Sequence, residues 1–190
     1  YQPDWAYVQP DTLEATMRYS EAIGNKRIGV ASAPVKALSE RRTLEEVIQH
    51  LNWVHEQATR ANMEIGYHAH KTDFAVVDGK TVWDRIFENT PESFAMILDT
   101  GNALAGGVWS VPLLEKFPGR SPWVHLKPFS LKDLGATMIG DDDFDWPSLL
   151  KACVELGGAD TLTVEYSNND RYEPMTAVRM CIERLRAYME

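Results

Sequence analysis

The sequence predicts an α/β protein built on a parallel sheet. Short apolar runs alternate with amphipathic helical stretches five times along 190 residues, the rhythm of strand-helix units. Four of the runs end on a side chain of metal-ligand type: Ile65-Gly66-Tyr67-His68, Phe94-Ala95-Met96-Ile97-Leu98-Asp99, Trp123-Val124-His125 and Thr161-Leu162-Thr163-Val164-Glu165. Those four end residues lie roughly 25 to 40 positions apart, about one strand plus one helix each. Parallel strands of one sheet release their last side chains at one face. Two imidazoles and two carboxylates then converge on one point, a donor set suited to a divalent cation.

The elements follow in order. Tyr1 to Pro10 is aromatic and proline-bearing, and reads as a loop or the remnant of a strand. Asp11-Thr12-Leu13-Glu14 is an N-cap with Glu at the third helical position, opening a helix that runs to Gly24. Arg27 to Ala31 is a buried strand. Thr43-Leu44-Glu45-Glu46 reads as a capping box. Leu44, Val47, Ile48, Leu51, Val54, Ala58 and Ala61 follow it at helical spacing. After the strand ending at His68, Lys80 to Glu88 is a short helix with Val82, Trp83, Ile86 and Phe87 on one face. Val111 to Phe117 is a further helix, stopped near Pro118-Gly119. Asp145-Trp146-Pro147 is an N-cap with Pro in the first turn. Its helix carries Leu149, Leu150, Cys153 and Leu156 up to Gly157-Gly158. The last helix presents Met175, Val178, Ile182 and Leu185.

Composition narrows the partners. The chain is 44% hydrophobic and 25% charged, ordinary for one globular domain over residues 1–190. A net charge of -9 repels nucleic-acid backbone and anionic lipid, so neither is an expected partner. No apolar run approaches the length of a bilayer span. Cys153 and Cys181 fall in apolar helical patterns and read as small hydrophobes, as in a reducing, cytoplasmic compartment.

Taken together, the motifs resemble a known family. Gly66-Tyr67-His68-Ala69-His70, Phe74, Asp78-Gly79-Lys80, Leu98-Asp99-Thr100-Gly101-Asn102, Pro118-Gly119-Arg120, Val124-His125-Leu126-Lys127, Phe144-Asp145-Trp146 and Val164-Glu165 occur in its order. The chain from Asp11 onward resembles the sugar phosphate isomerase/epimerase family of the xylose-isomerase-like TIM barrel superfamily. The resemblance implies a (β/α)8 barrel with one or two divalent cations at the carboxyl-end face. It carries over Asp99, His125 and Glu165 as ligands. Many members place Glu where His68 falls, whereas one branch ends that strand in Tyr-His-Asn-His. His68 or His70 is then the fourth ligand, and Asp73 stands where that branch often has Glu. Ala69 replaces the usual Asn, and Pro128 stands where Asp is typical. Only five strands are clear, where a barrel needs eight in about 250 residues. The barrel is expected to be incomplete at its N-terminus, with five to six βα units. A partner subunit, as in a homo-oligomer, is one source of the rest; domain swapping and a truncated chain are the others.

The chemistry follows from the donors. A mixed nitrogen and oxygen set suits one Mn²⁺, Zn²⁺ or Co²⁺, with Fe²⁺ or Mg²⁺ as further options. Such an ion polarises a carbonyl or hydroxyl oxygen. Glu165 is the candidate base, His68 or His70 the group on the other side of the substrate, and Lys127 a clamp on a substrate oxygen. His70, Asn102, Lys127, Tyr67 and Trp109 are the candidate substrate-binding residues. The ordinary readings stand beside these. Asp99 with Thr100-Gly101-Asn102 also reads as a turn capping the next helix. Lys127 also reads as a solvated charge, His50 and His55 as packing residues, and Asp141 to Asp143 as a loop and helix-start cluster. The expected activity is metal-dependent isomerisation or epimerisation of a sugar by proton transfer next to a carbonyl. A lyase resembling inosose dehydratase uses the same site on a cyclitol. A non-catalytic sugar-binding or scaffold subunit is the third reading. Hydrolysis at abasic DNA sites ranks last, given the acidic charge. No glycine-rich phosphate cradle is present.

Overall fold

The structure, a computed structural model, describes residues 1–135, 137–167 and 171–189. Its helices are α1 Leu13–Ala22, α2 Val35–Leu38, α3 Arg41–Arg60, α4 Val82–Glu88, α5 Thr100–Ala105, α6 Ser110–Lys116, α7 Trp146–Glu155 and α8 Pro174–Met189. The long-sheet strands are β1 Arg27–Val30, β2 Glu64–His68, β5 Ala95–Asp99, β6 Trp123–Leu126 and β7 Thr161–Val164, all paired in parallel. A separate two-stranded hairpin joins β3 Val76–Val77 to β4 Lys80–Thr81. The chain divides into two compact units, Tyr1–Ile97 and Leu98–Glu190.

In the first unit the strand order is β1-β2-β5, with Gly29 opposite Gly66, and His68 opposite Ile97. The opening residues extend this pairing. Gly29 N donates to the Tyr1 carbonyl at 2.8 Å and Ala31 N to the Pro3 carbonyl at 3.1 Å, which covers the free edge of β1. Helix α3 buries Leu44, Val47, Ile48, Leu51, Val54 and Ala58, the stripe that the spacing predicts. Each fully buried Leu or Val contributes about 1.5–3 kcal/mol. Trp83 packs on Phe87 with centroids 4.5 Å apart and on Phe74 at 5.5 Å, closing the unit with an aromatic cluster.

Three helix starts differ in their capping from the sequence expectation. Helix α3 begins at Arg41, ahead of the expected capping box. The Thr43 hydroxyl donates to the carbonyls of Ala37 (2.7 Å) and Glu40 (3.0 Å), so it is not a cap. Glu45 and Glu46 pair with Arg41 and Arg42 one turn back, at 2.9 and 3.6 Å. Lys80 and Thr81 form β4 rather than helix. Asp78 and Gly79 both have positive φ (49° and 79°), the two-residue hairpin turn that an Asp-Gly pair favours. Thr81 then caps α4, accepting from Asp84 N at 3.0 Å. Helix α1 starts after Thr12 rather than Asp11. The Thr12 hydroxyl is held by Gln9 N and the Ala6 carbonyl instead of capping the helix.

In the second unit the order is β5-β6-β7, β5 contributing its last two residues. Trp146, Leu149, Leu150 and Cys153 of α7 are buried, as are Ala177, Cys181 and Leu185 of α8. Asp145 caps α7 as its sequence implies, accepting from Ser148 N, with Pro in the first turn. Both cysteines are free and buried. Burial pushes the Cys153 thiol up to about 12, and the Cys181 thiol donates to the Met138 thioether at 3.3 Å. Among the described residues, no helix is long and apolar enough to cross a membrane.

Candidate active site

The second unit brings Asp99, Asn102, His125, Lys127 and Glu165 together at the carboxyl ends of three successive strands. The register explains why. Asp99 is level with His125, His125 is level with Thr163, and Glu165 N donates to the Leu126 carbonyl at 3.1 Å. His125 and Lys127 are two apart on one extended segment and share a face, while Leu126 between them is buried on the other.

Asp99 is fully buried at the end of an apolar strand. Its Oδ1 accepts from Asn102 N at 2.6 Å and caps α5. Its Oδ2 lies 3.9 Å from Lys127 Nζ. Lys127 Nζ donates to Glu165 Oε1 at 2.7 Å and to Asn102 Oδ1 at 3.2 Å. His125 Nδ1 and Glu165 Oε2 are 2.7 Å apart. One ammonium therefore lies among two carboxylates, with imidazole and amide beside it. The side chains of Lys127 and His125 are mostly shielded, which strengthens each charge interaction relative to bulk water.

A backbone lock holds this arrangement. The Thr100 hydroxyl donates to the Lys127 carbonyl at 2.8 Å and accepts from Lys127 N at 2.9 Å. Gly101 lets the two segments meet: a Cβ there would stand 2.8 Å from both Lys127 Cγ and the Lys127 carbonyl oxygen. Gly101→Ala is expected to lower stability by about 1–3 kcal/mol through overpacking, despite the better helix propensity of Ala. Thermal unfolding checks it, and a raised Tm would remove the close-approach argument.

The first unit supplies the other candidates. His68 ends β2 and is buried, its ring edge-on to His70 with centroids 4.9 Å apart. Tyr67 is not placed as a wall for substrate. It is fully buried, accepts from Ala33 N at 3.1 Å and donates to Asp73 Oδ1 at 3.0 Å. The reason is strand alternation: His68 and Tyr67 point to opposite faces. Asp73 Oδ2 also accepts from His70 N at 2.7 Å, tying the His70 segment to Tyr67.

The remaining candidates are placed as follows. Trp109 precedes α6, half-exposed and edge-on to Phe144. His50 Nε2 donates to the Val8 carbonyl at 2.9 Å and its ring packs against Trp5 and Trp53, and His55 bonds Ser93. The acidic run is engaged locally. Asp141 pairs with Arg184 at 2.9 Å, Asp142 accepts from the Trp146 indole at 2.9 Å, and Asp143 accepts from Leu131 N at 2.7 Å. Burial raises the Asp142 carboxyl to about 6. Sequence reasoning missed the Thr100 lock; the signal for it is the Thr-Gly pair directly after a strand-ending Asp.

A family model for the xylose isomerase-like TIM barrel matches residues 2–188. The chain belongs to that family. Its five parallel strands and their helices are thus part of a TIM-barrel fold, in which a complete barrel has eight strands. No curated protein matches it in sequence. Among solved structures, a sugar phosphate isomerase/epimerase from Parabacteroides distasonis ATCC 8503 is 17% identical with a TM-score of 0.76, over 92% of this chain and 64% of its own. An L-ribulose 3-epimerase is 14% identical with a TM-score of 0.70, over 94% and 66%. The IolI protein, solved with a zinc atom bound, is 14% identical with a TM-score of 0.66, over 92% and 66%. This chain thus spans just under two thirds of the length of these structures. At these identities the likeness shows the fold.

The donors of the second unit fit a divalent cation. Asp99, His125 and Glu165 each offer one ligand atom, all within 4.8 Å of one another. Donors about 2.0–2.2 Å from one ion spread over nearly that distance.

Proposed function

We propose that the protein isomerises or epimerises a small sugar in a cation-dependent reaction that moves a proton on the carbon beside a carbonyl. The observation that carries the reading is the convergence of Asp99, His125 and Glu165 from three consecutive strand ends, with Lys127 and Asn102 among them. We assign His68 as the fourth ligand. It ends β2 opposite Ile97, two residues before Asp99 along β5. The two-imidazole, two-carboxylate set favours Mn²⁺, Zn²⁺, Co²⁺ or Fe²⁺ over Mg²⁺. When bound, the cation supplies Lewis-acid polarisation of the substrate oxygen.

The chain's own residues do the rest. Glu165 takes the proton. Its two oxygens are oriented by Lys127 and His125, and a carboxylate retains further lone pairs for the substrate. Lys127 and Asn102 hold a substrate oxygen by N–H donation. Proton return falls to His70, whose ring lies edge-on to His68 and whose backbone is steadied by Asp73.

The test combines metal analysis of the purified protein with a screen of ketoses and inososes in D₂O. About one cation per chain and solvent deuterium at the carbon beside the carbonyl are expected. A product that has lost water instead assigns lyase chemistry. No bound cation, and no thermal stabilisation by added Mn²⁺, Zn²⁺ or Co²⁺, overturns the reading in favour of a non-catalytic subunit.

A further inference from the structure

Lys127 puts a positive charge among the groups assigned to the cation. Its Nζ donates to Glu165 Oε1 at 2.7 Å and lies 3.9 Å from Asp99 Oδ2. The Lys127 side chain is only 17% exposed and that of Asp99 is fully buried, so water screens these charges poorly. The main chain keeps the ammonium there. Lys127 N and its carbonyl oxygen are both bonded to the Thr100 hydroxyl, and the Lys127 stem runs so close to Gly101 that a Cβ there would meet Lys127 Cβ at 3.0 Å. Asn102 Oδ1 accepts from Nζ at 3.2 Å as a further anchor.

Such an ammonium acts on a cation in two opposite ways. A hydrogen bond that steadies a ligand typically raises metal affinity 10–100-fold. A unit positive charge about 4–5 Å from a dication lowers it, on the order of tenfold even at the dielectric constant of bulk water. The geometry favours the second effect. Asp99 takes its orientation from Asn102 N at 2.6 Å, and the Glu165 backbone is placed by the Leu126 carbonyl at 3.1 Å. Both ligands are thus positioned by other bonds, and what Lys127 adds is mainly its charge. The two carboxylates offer two negative charges, and the ammonium offsets one of them.

We propose that Lys127 sets the strength of cation binding: its ammonium shares Glu165 and Asp99 with the cation, so the site holds a divalent cation loosely, and a neutral side chain at this position would hold it tightly. The inference rests on the cation-dependent reading given above and adds to the substrate-clamping role of Lys127 a role in the affinity of the site.

The experiment is calorimetric titration of the chelator-treated protein and of Lys127→Gln, Lys127→Met and Lys127→Arg with Mn²⁺ and with Zn²⁺. Gln keeps an N–H donor without the charge, Met removes both, and Arg keeps the charge. Both neutral variants are expected to bind each cation roughly tenfold tighter than wild type, by similar factors because charge acts on Mn²⁺ and Zn²⁺ alike. Arg is expected to stay within about threefold of wild type. The bonds to Thr100 come from the main chain of Lys127, so all three substitutions leave them in place. Tm checks folding, and either neutral variant that folds decides the outcome. Neutral variants that bind equally or more weakly, or a gain confined to one of the two cations, would overturn the proposal and leave the cation site standing. Failure of wild type and neutral variants alike to bind either cation would remove the site itself, and this proposal with it.

Discussion

Glu165→Gln is expected to lower turnover by about 10²- to 10⁴-fold, the usual contribution of a positioned general base, while the protein keeps its fold. The substitution is nearly isosteric, and Glu165 lies just beyond β7 with its side chain 31% exposed, outside the buried core. The Gln carbonyl oxygen can still accept from Lys127, and the amide nitrogen can donate to His125 Nδ1. What is lost is the negative charge and the lone pair that takes the proton.

Loss of turnover alone does not separate a missing base from a weakened cation site, because Glu165 is assigned both roles. Two further readouts do. Exchange of the substrate proton with D₂O fails together with turnover if Glu165 is the base. Cation affinity, measured by titration with Mn²⁺ or Zn²⁺, falls if it is a ligand. A variant that binds the cation and still exchanges the proton at the wild-type rate would strip Glu165 of the catalytic role.

The strand ends were legible because each is an apolar run stopped by a polar residue. Once β5, β6 and β7 are parallel and in register, Asp99, His125 and Glu165 have to share one end. Asp99 also shows why two readings of one motif need not compete. Its Oδ1 caps α5, as a turn reading expects, and Oδ2 remains directed toward Lys127. What stayed hidden depends on contacts far apart in sequence. The double hydrogen bond between Thr100 and Lys127 spans 27 positions and leaves no periodic trace. Strands β3 and β4 are two residues each, too short for alternation, so their Asp-Gly turn was the sole signal. Tyr67 adjoins His68 in sequence, but neighbours along a strand face opposite ways. Burial then assigned its hydroxyl to Asp73.

That same hydrogen-bond network sets the second large effect: the protein is expected to lose stability as pH rises from about 4 to about 7, and Asp73→Asn to abolish that component. Asp73 is fully buried, and this burial raises its carboxyl to about 7 from 3.8 against the opposing hydrogen bonds of His70 N and the Tyr67 hydroxyl. Burial, and then the Asp73 charge, hold the Tyr67 phenol well above its ordinary range as well. Between the two carboxyl values the native state keeps a proton that the unfolded chain has released, so stability falls with rising pH. The contribution is complete below pH 3.8 and lost by about pH 7. A shift of this size corresponds to about 4 kcal/mol as an upper bound. Asn mimics the protonated acid, with one oxygen for His70 N and an amide N–H for the Tyr67 oxygen. The variant is therefore expected to match wild type near pH 4 and exceed it near pH 8. Denaturant unfolding of both proteins across that range isolates Asp73 from the other carboxylates, whose titration is common to both. Parallel stability profiles would mean that Asp73 folds as an ordinary ionised acid, and that His70 is held by a charge rather than by a neutral carboxyl.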